Sequence, residues 1–158
     1  MGPAVVDGFS GKMTRTKGQI EAEIRDAIVK FERDFMGCGP GDVRAFILRD
    51  MIVVRLRDEL TPAEHQLAKN PDGAVIVKRM RENLMDQARE MLGKTIGDIT
   101  GTEVLGLFTD IETTSGDRVL VFTLRSDLEM ALNLSHPPER STVSAERRRR
   151  EGVTRKAG

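Results

Sequence analysis

The chain has 158 residues, with 25 basic and 25 acidic side chains and a formal net charge of zero. That length suits one domain, and a single cysteine excludes an intrachain disulfide framework and a cysteine-rich zinc site. No uncharged apolar run approaches the ~20 residues that cross a bilayer. Residues 1–8 lack the basic start and long apolar stretch of a signal peptide, so the sequence predicts a soluble cytoplasmic protein.

Charge is unevenly distributed along the chain. Residues 137–158 carry seven basic and three acidic side chains, a net charge of +4, so residues 1–136 carry −4. The basic segment has too few sizeable apolar residues to offset the entropy of ordering it. We therefore predict a flexible head over residues 1–14, a single α+β domain over residues 15–135 and a disordered basic tail over residues 136–158.

The first predicted helix covers residues 16–36. Thr16 and Gln19 have the spacing of a capping box. Apolar residues recur at steps of three and four and predict one buried stripe, made of Ile20, Ile24, Ile28, Phe31 and Phe35. Glycines and a proline over residues 37–41 end the helix.

Two strands follow, over residues 43–49 and 51–57, and both are rich in branched and aromatic side chains. The Arg49-Asp50 step joins them, which predicts a tight hairpin although the favoured glycine is missing. The two strands are therefore expected to pair in antiparallel orientation.

Two helices follow the hairpin. Thr61, Pro62 and Glu64 form an N-cap, a first helical position and a capping box, which predicts a short helix. Asn70 and Pro71 begin a longer helix that is predicted to end near residue 95. Its predicted buried stripe repeats at helical spacing and consists of Ile76, Met80, Leu84, Ala88, Met91 and Leu92.

The last elements are strands over residues 102–113 and 118–124 and a short helix that Ser126 and Glu129 would cap. Gly116 lies between the strands where a hairpin loop needs positive φ. The element order is α-β-β-α-α-β-β-α. It predicts an α+β fold with a four-stranded, mainly antiparallel sheet packed against helices, and it leaves the strand order open.

The strands lack the alternation of apolar and polar residues that marks a sheet with one solvated face. Strand 51–57, for example, has Ile52 and Val54 on one face and Met51 and Val53 on the other. The main helices can cover one face only. A remaining helix, a second copy of the chain or another partner must cover the other face, and we expect a homodimer.

Charged residues on the strands are candidate ligand-binding groups. Arg55 and Arg57 lie on one side of the second strand, and Asp110 and Glu112 share a side of the third. If these strands are neighbours, the charges can pair across the sheet. Otherwise the arginines can bind a small anion, and the plainer alternative is a solvated end of the sheet.

Glu64 and His65 form the best acid–base or metal-binding pair in the sequence. A single histidine without a second one at helical spacing makes a poor metal site. No carboxylate dyad and no serine–histidine–aspartate set has a suitable spacing. We therefore predict no catalytic residues, no metal site and no cofactor.

The tail contains a run of four arginines: Arg147, Arg148, Arg149 and Arg150. Near an anionic membrane such charges contribute ~1 kcal/mol each, so peripheral contact with the inner face of the membrane is possible. Weak nucleic-acid binding is the alternative. We do not expect it, because the predicted domain is acidic and aromatic residues that could stack on bases are few.

Six segments together resemble a bacterial family. They are residues 17–24, 39–40, 50–56, 60–64, 108–111 and 121–124. The family was once called a domain of unknown function and is named for the C subunit of a sodium-translocating, membrane-potential-generating system. The resemblance implies association with a two-part membrane system linked to ion translocation and inorganic-carbon uptake. It supplies no catalytic residues to carry over.

Two functions follow as expectations. The first is a soluble accessory or regulatory subunit, a homodimer that docks on a membrane transport complex. The alternative is a homodimeric module that senses a small anion or a nucleotide. An enzyme is the least expected class.

Overall fold

The structure is a computed structural model that describes residues 14–37 and 39–137. The predicted head before residue 14 and the predicted tail after residue 137 lie outside the described residues. The elements are α1 (Lys17–Phe31), β1 (Asp42–Leu48), β2 (Met51–Arg57), α2 (Pro62–Leu67), α3 (Pro71–Thr100), β3 (Val104–Ile111), β4 (Arg118–Leu124) and α4 (Leu128–Ser135). The predicted α+β fold and element order are confirmed.

The four strands form one antiparallel sheet in the order β1-β2-β4-β3. The second hairpin therefore inserts its later strand, β4, beside β2 and leaves β3 at the edge. The register aligns Phe46 with Val53, Val53 with Val121, and Val121 with Phe108 across all four strands. One row of same-face side chains thus crosses the whole sheet.

Side-chain caps set the starts of α1, α2 and α3 as predicted. The Thr16 hydroxyl accepts from the Gln19 N–H at 3.2 Å, and the Thr16 N–H donates to the Gln19 carbonyl side chain at 2.8 Å. Thr61 and Glu64 form the same reciprocal pair at 3.3 and 2.7 Å. Asn70 caps α3 through its side-chain oxygen, which accepts from the backbone three residues later. Each cap satisfies backbone donors that the helix leaves unpaired.

Both predicted hairpin turns are present. Arg49 takes a positive φ of 58° between β1 and β2, so it belongs to the turn and β1 ends one residue earlier than predicted. Gly116 takes a φ of 77° between β3 and β4, as its position predicted. A left-handed residue suits a tight turn because it matches the twist of the paired strands.

The first helix ends differently from the prediction. A π-helical turn, Glu32–Met36, follows α1 before Gly37 terminates it in a left-handed conformation. The wider turn moves Phe35 off the buried stripe, so that its side chain is 39% exposed. The same turn directs Glu32 into the interior, where it is fully buried. Phe35 was therefore wrongly assigned to the core, and the stripe ends at Phe31.

The buried face of α3 is rotated from the predicted one. Ala88 and Leu92 are buried as predicted, but Ile76, Met80 and Met91 are exposed. The buried stripe is instead Val77, Arg81, Met85, Ala88, Leu92 and Ile96. The helix also continues five residues beyond the predicted end, because Ile96 and Thr100 still face the core.

The last helix begins one residue later than expected. Its N-cap is Asp127, whose side chain accepts from the Met130 N–H at 2.8 Å. Ser126 instead bonds to the Thr102 hydroxyl at 2.7 Å. The predicted capping role of Glu129 is also wrong, because its carboxylate accepts from the Arg49 backbone at 2.9 Å. That contact ties α4 to the β1–β2 turn.

Apolar side chains of α1, α3 and α4 share one core with one face of the sheet. The buried sheet residues alternate along the strands and include Val43, Ala45, Ile47, Ile52, Val54, Leu56, Leu107, Leu120, Phe122 and Leu124. Leu105 is exposed although Leu107, two residues later on the same strand, is buried, because the register shifts between Val104 and Gly106. Since α4 also packs into this core, it does not cover the opposite face.

Candidate functional site

The opposite face of the sheet, called the outer face below, is not covered by any described helix. Its central row is Phe46, Val53, Val121 and Phe108. The next row is Leu48, Met51, Thr123 and Gly106. Phe46 is 45% exposed and Phe108 is 64% exposed. Two adjacent rows of mainly apolar side chains therefore form a continuous surface toward solvent.

Charged residues occupy one end of the outer face. The row beyond Phe46 is Arg44, Arg55, Val119 and Asp110. The Arg55 guanidinium donates to the Asp117 carboxylate at 3.0 Å, and this hydrogen bond lowers the pKa of Asp117. Lys78 of α3 contacts Asp110 at 2.8 Å, which likewise lowers the pKa of Asp110.

The structure places the predicted strand ligands on one face but does not bring them together. Arg55 and Arg57 are both exposed on β2, where Arg57 lies opposite Asp42. Asp110 lies on β3, and β4 separates the two strands. The predicted condition that these strands are neighbours is therefore not met, and Val119 stands between Arg55 and Asp110.

The side chains of Glu64 and His65 contact different partners. The Glu64 carboxylate is buried and accepts two hydrogen bonds from Arg81, at 2.7 and 2.6 Å. His65 is half-buried, and its Nε2 lies 3.2 Å from the Asp58 carboxylate. The two side chains therefore do not form a joint acid–base or metal-binding pair.

The arginine run Arg147–Arg150 lies outside the described residues. Within residues 14–37 and 39–137, no group of three or more His, Cys, Asp and Glu side chains is arranged to hold a metal ion. None of the helices in the same part of the chain is long and apolar enough to cross a membrane.

A buried cluster of five charged residues was not anticipated from the sequence. Its members, which we call the ion cluster, come from five parts of the chain and are Glu32, Glu59, Glu64, Arg81 and Arg118. Arg118 bridges two of the acids, with its Nε 3.2 Å from Glu59 and its Nη1 3.8 Å from Glu32. Arg81 joins Glu59 to Glu64 and also donates to the Glu59 carbonyl at 3.0 Å.

Glu32 is the least satisfied member of the ion cluster. No donor among the described residues lies within hydrogen-bond distance of its carboxyl oxygens. Burial raises the pKa of Glu32 from 4.5 to about 9, helped by the facing Glu59 and opposed by Arg118 and Arg81. At neutral pH the carboxyl is therefore protonated and can donate to the Glu59 carboxylate. Two carboxylates then balance two guanidiniums.

The sequence did contain a signal for the ion cluster. Arg81 lies four residues from both Val77 and Met85, and so it shares their helix face. Arg118 is likewise in phase with the alternating buried residues Leu120 and Phe122 of β4. A charged residue at a buried position needs a partner of opposite charge. That partner could not be named before the tertiary structure was known.

Comparisons with known proteins agree with the sequence resemblance. The chain is 41% identical over 120 residues to the uncharacterized protein YbcI of Bacillus subtilis strain 168, covering 76% of this chain and 97% of that protein. It is 27% identical over 101 residues to the uncharacterized protein YrhF of the same organism, covering 63% and 83% respectively. No solved structure matches the chain significantly. The model of one family, described as the Na+-translocating membrane potential-generating system (MpsC), matches residues 16–126, and the chain therefore belongs to that family.

Proposed function

We propose that the chain is an accessory interaction subunit of a bacterial membrane system that translocates ions or takes up inorganic carbon. The family's name connects it with a sodium-translocating system. The chain would contribute to that system by binding a protein rather than by conducting an ion itself.

The observation that carries this proposal is the exposed apolar surface of the outer face. Phe46 and Phe108 lie at its two edges, with Val53 and Val121 between them. Monomeric proteins rarely expose a contiguous apolar patch of more than a few hundred Å² unless it binds something. A protein interface is the usual use of a flat, apolar surface with a charged margin.

A non-enzymatic role is part of the proposal. The acid–base candidates of the sequence already have structural partners, since Arg81 binds Glu64 and Asp58 lies beside His65. The ion cluster is buried between α1, α3 and β4, where a substrate would have to displace the core. We therefore propose that these charged residues stabilise the fold.

We also propose a cytoplasmic location with peripheral membrane contact through Arg147–Arg150. The arginine run would add attraction to anionic lipids on the inner face of the membrane. Co-sedimentation with vesicles containing an anionic lipid should weaken when residues 138–158 are removed. Equal sedimentation of the full and shortened chains would contradict this part of the proposal.

Sensing of a small anion or a nucleotide is a second candidate. Its support is the juxtaposition of Arg44 and Arg55 on paired strands, with Arg57 exposed farther along β2. Phosphate, bicarbonate and ATP should then each be tested for a rise in melting temperature. The rise should be absent in Arg55→Ala, and no rise with any of these ligands would exclude sensing of that ligand.

The accessory role is tested by affinity purification of the tagged chain from gently solubilised native cells, with mass spectrometry of the co-purifying proteins. A polytopic ion transporter in stoichiometric amount is expected. The variant Phe46→Asp/Phe108→Asp should lose it, whereas Val75→Asp, a change at an exposed apolar residue of α3, should retain it. Absence of a transporter, or equal recovery with both variants, would contradict the proposal.

A further inference from the structure

We propose that the outer face binds the outer face of a second copy of the chain, about a two-fold axis that runs parallel to the strands. This inference rests on the proposed function and deepens it: the dimer, rather than the single chain, is the form that docks on the membrane system, and the exposed surface serves docking by forming that dimer. It is carried by the distribution of charge and apolar residues over the face.

Charge on the outer face is divided by sign between its two halves. The half formed by β1 and β2 carries Arg44, Arg55 and Arg57 against one acid, Asp42. The other half, formed by β4 and β3, carries the acid Asp110 on β3. The turn that joins β3 to β4 adds Glu112 and Asp117, of which Asp117 also pairs with Arg55. Lys78 of α3 contacts this second half through Asp110. One half is therefore net basic and the other is net acidic.

Apolar residues are divided in the other direction, along the strands. The rows that contain Phe46 and Leu48 are mainly apolar, whereas the rows that contain Arg44 and Asp42 are mainly charged. A partner that fits this face must therefore match two independent patterns. The sign of the net charge changes across the strands, and the apolar rows give way to charged rows along the strands.

A two-fold axis parallel to the strands matches both patterns. Such a rotation places β1 and β2 over β3 and β4 of the partner subunit, so the basic half faces the acidic half. It preserves position along the strands, so apolar rows face apolar rows. Phe46 then lies near Phe108 of the partner subunit, and Arg44 near Asp110 of the partner subunit. An in-plane axis perpendicular to the strands would instead place the charged end over the apolar end.

The area is sufficient for such a pair. Four strands spaced about 4.8 Å apart and seven residues rising about 3.4 Å each span about 19 by 24 Å. Two copies thus cover about 900 Å² in projection, and protruding side chains raise the accessible area further. Specific interfaces bury at least about 1,000 Å². Sheets packed in this way lie about 10 Å apart with aligned strands.

Both edges of the sheet are less suited to pairing with another copy. On β1, the Ile47 N–H donates to the Glu21 carboxylate of α1 at 2.9 Å. On β3, the Arg89 guanidinium of α3 donates to the Leu107 carbonyl. These side chains occupy backbone groups that an added strand would need. Association through the face is therefore favoured over extension of the sheet.

Two complementary charge-reversal variants of the purified chain test the inference. The first variant is Arg44→Glu/Arg55→Glu, and the second is Asp110→Lys/Glu112→Lys. Each variant alone would bring like charges together at both halves of the interface, so its dimer should dissociate at least tenfold more readily than the native one. A one-to-one mixture restores opposite charges at both halves and should form a heterodimer as tight as the native dimer.

Analytical ultracentrifugation measures each sample, and circular dichroism confirms that each variant is folded. Val75→Asp is the matched control outside the face and should dimerise like the native chain. A monomeric native chain, dimers of undiminished strength in either variant, or a mixture that stays monomeric would each overturn the inference. Because no transporter is present, this test can fail while capture of a transporter succeeds, and the reverse also holds.

Discussion

The Arg81 guanidinium donates two hydrogen bonds to the Glu64 carboxylate, at 2.7 and 2.6 Å, and both side chains are buried. This pair joins α3 to the short helix α2, whose buried residue is Glu64 itself. It also reaches Glu59 in the loop between β2 and α2. The geometry fixes the whole β2–α3 connection against the end of the sheet.

Loss of Arg81 should strongly destabilise the protein. Arg81→Met leaves the buried Glu64 carboxylate without its guanidinium and leaves Glu59 with Arg118 alone, and breaking a buried ion pair in this way typically costs about 3–5 kcal/mol. Arg125→Met breaks the exposed pair with Glu103 and should cost no more than about 1 kcal/mol. Urea denaturation of both variants measures the difference. Similar losses in the two variants would contradict a stabilising role for the ion cluster.

Glu32 should make the folded state less stable as the pH rises. Its pKa is about 9 in the folded protein against an ordinary 4.5. Between these values the unfolded chain has released the proton and the folded chain has not. The free energy of unfolding therefore falls with rising pH, with a limiting slope of about 1.4 kcal/mol per pH unit. Below the ordinary pKa both states hold the proton, so burial of Glu32 no longer lowers the free energy of unfolding.

Glu32→Gln keeps the shape of the protonated carboxyl and cannot ionise. Its stability relative to the native chain should rise steadily from mildly acidic to alkaline pH. Exposed Glu103→Gln is the matched control, and it should follow the native profile. Urea denaturation over a pH series provides the measurement, and parallel profiles for Glu32→Gln and the native chain would show that Glu32 is ionised in the fold.

Gly73 is required by the close approach of α2 to α3. A Cβ at this position would overlap the Leu67 carbonyl oxygen, so Gly73→Ala should cost about 1–3 kcal/mol through displacement of backbone. Gly18→Ala in α1 meets nothing within 4 Å and should gain up to about 1 kcal/mol from helix propensity. Thermal denaturation distinguishes the two, and a stabilising Gly73→Ala would show that α2 is free to move away.

Asp127, rather than Ser126, should stabilise the start of α4. Asp127→Ala removes the acceptor for the Met130 N–H and should cost about 1 kcal/mol. Ser126→Ala removes only an exposed hydroxyl contact to Thr102 and should have a smaller effect. Chemical denaturation of the two alanine variants compares them directly. The reverse order of effects would restore Ser126 as the functional cap.

Local signals predicted the elements well because their causes are local. The capping boxes at Thr16 and Thr61 use side chains three residues apart, so sequence spacing alone reveals them. The turn at Gly116 depends on one backbone conformation that glycine adopts readily. These features identified two of the helix starts and one of the hairpins.

The buried face of α3 could not be chosen in this way. Ile76 and Met80 form a stripe as apolar as Val77 and Met85, one residue out of phase. The stripe that is buried contains Arg81, which local hydrophobicity disfavours. Its burial is favourable only because Glu59 and Glu64 lie beside it, and their positions depend on the fold.

The sequence by itself determined the main element types, their order, the caps of the first three helices and the apolar character of both sheet faces. Each of these depends on residues within a few positions of one another or on alternation along a strand. The tertiary structure decided which face the helices cover, placed β4 between β2 and β3, and brought Glu32 to Arg118. Those outcomes depend on contacts between distant segments, because the cost of burying a charge or an apolar face is set by what packs against it.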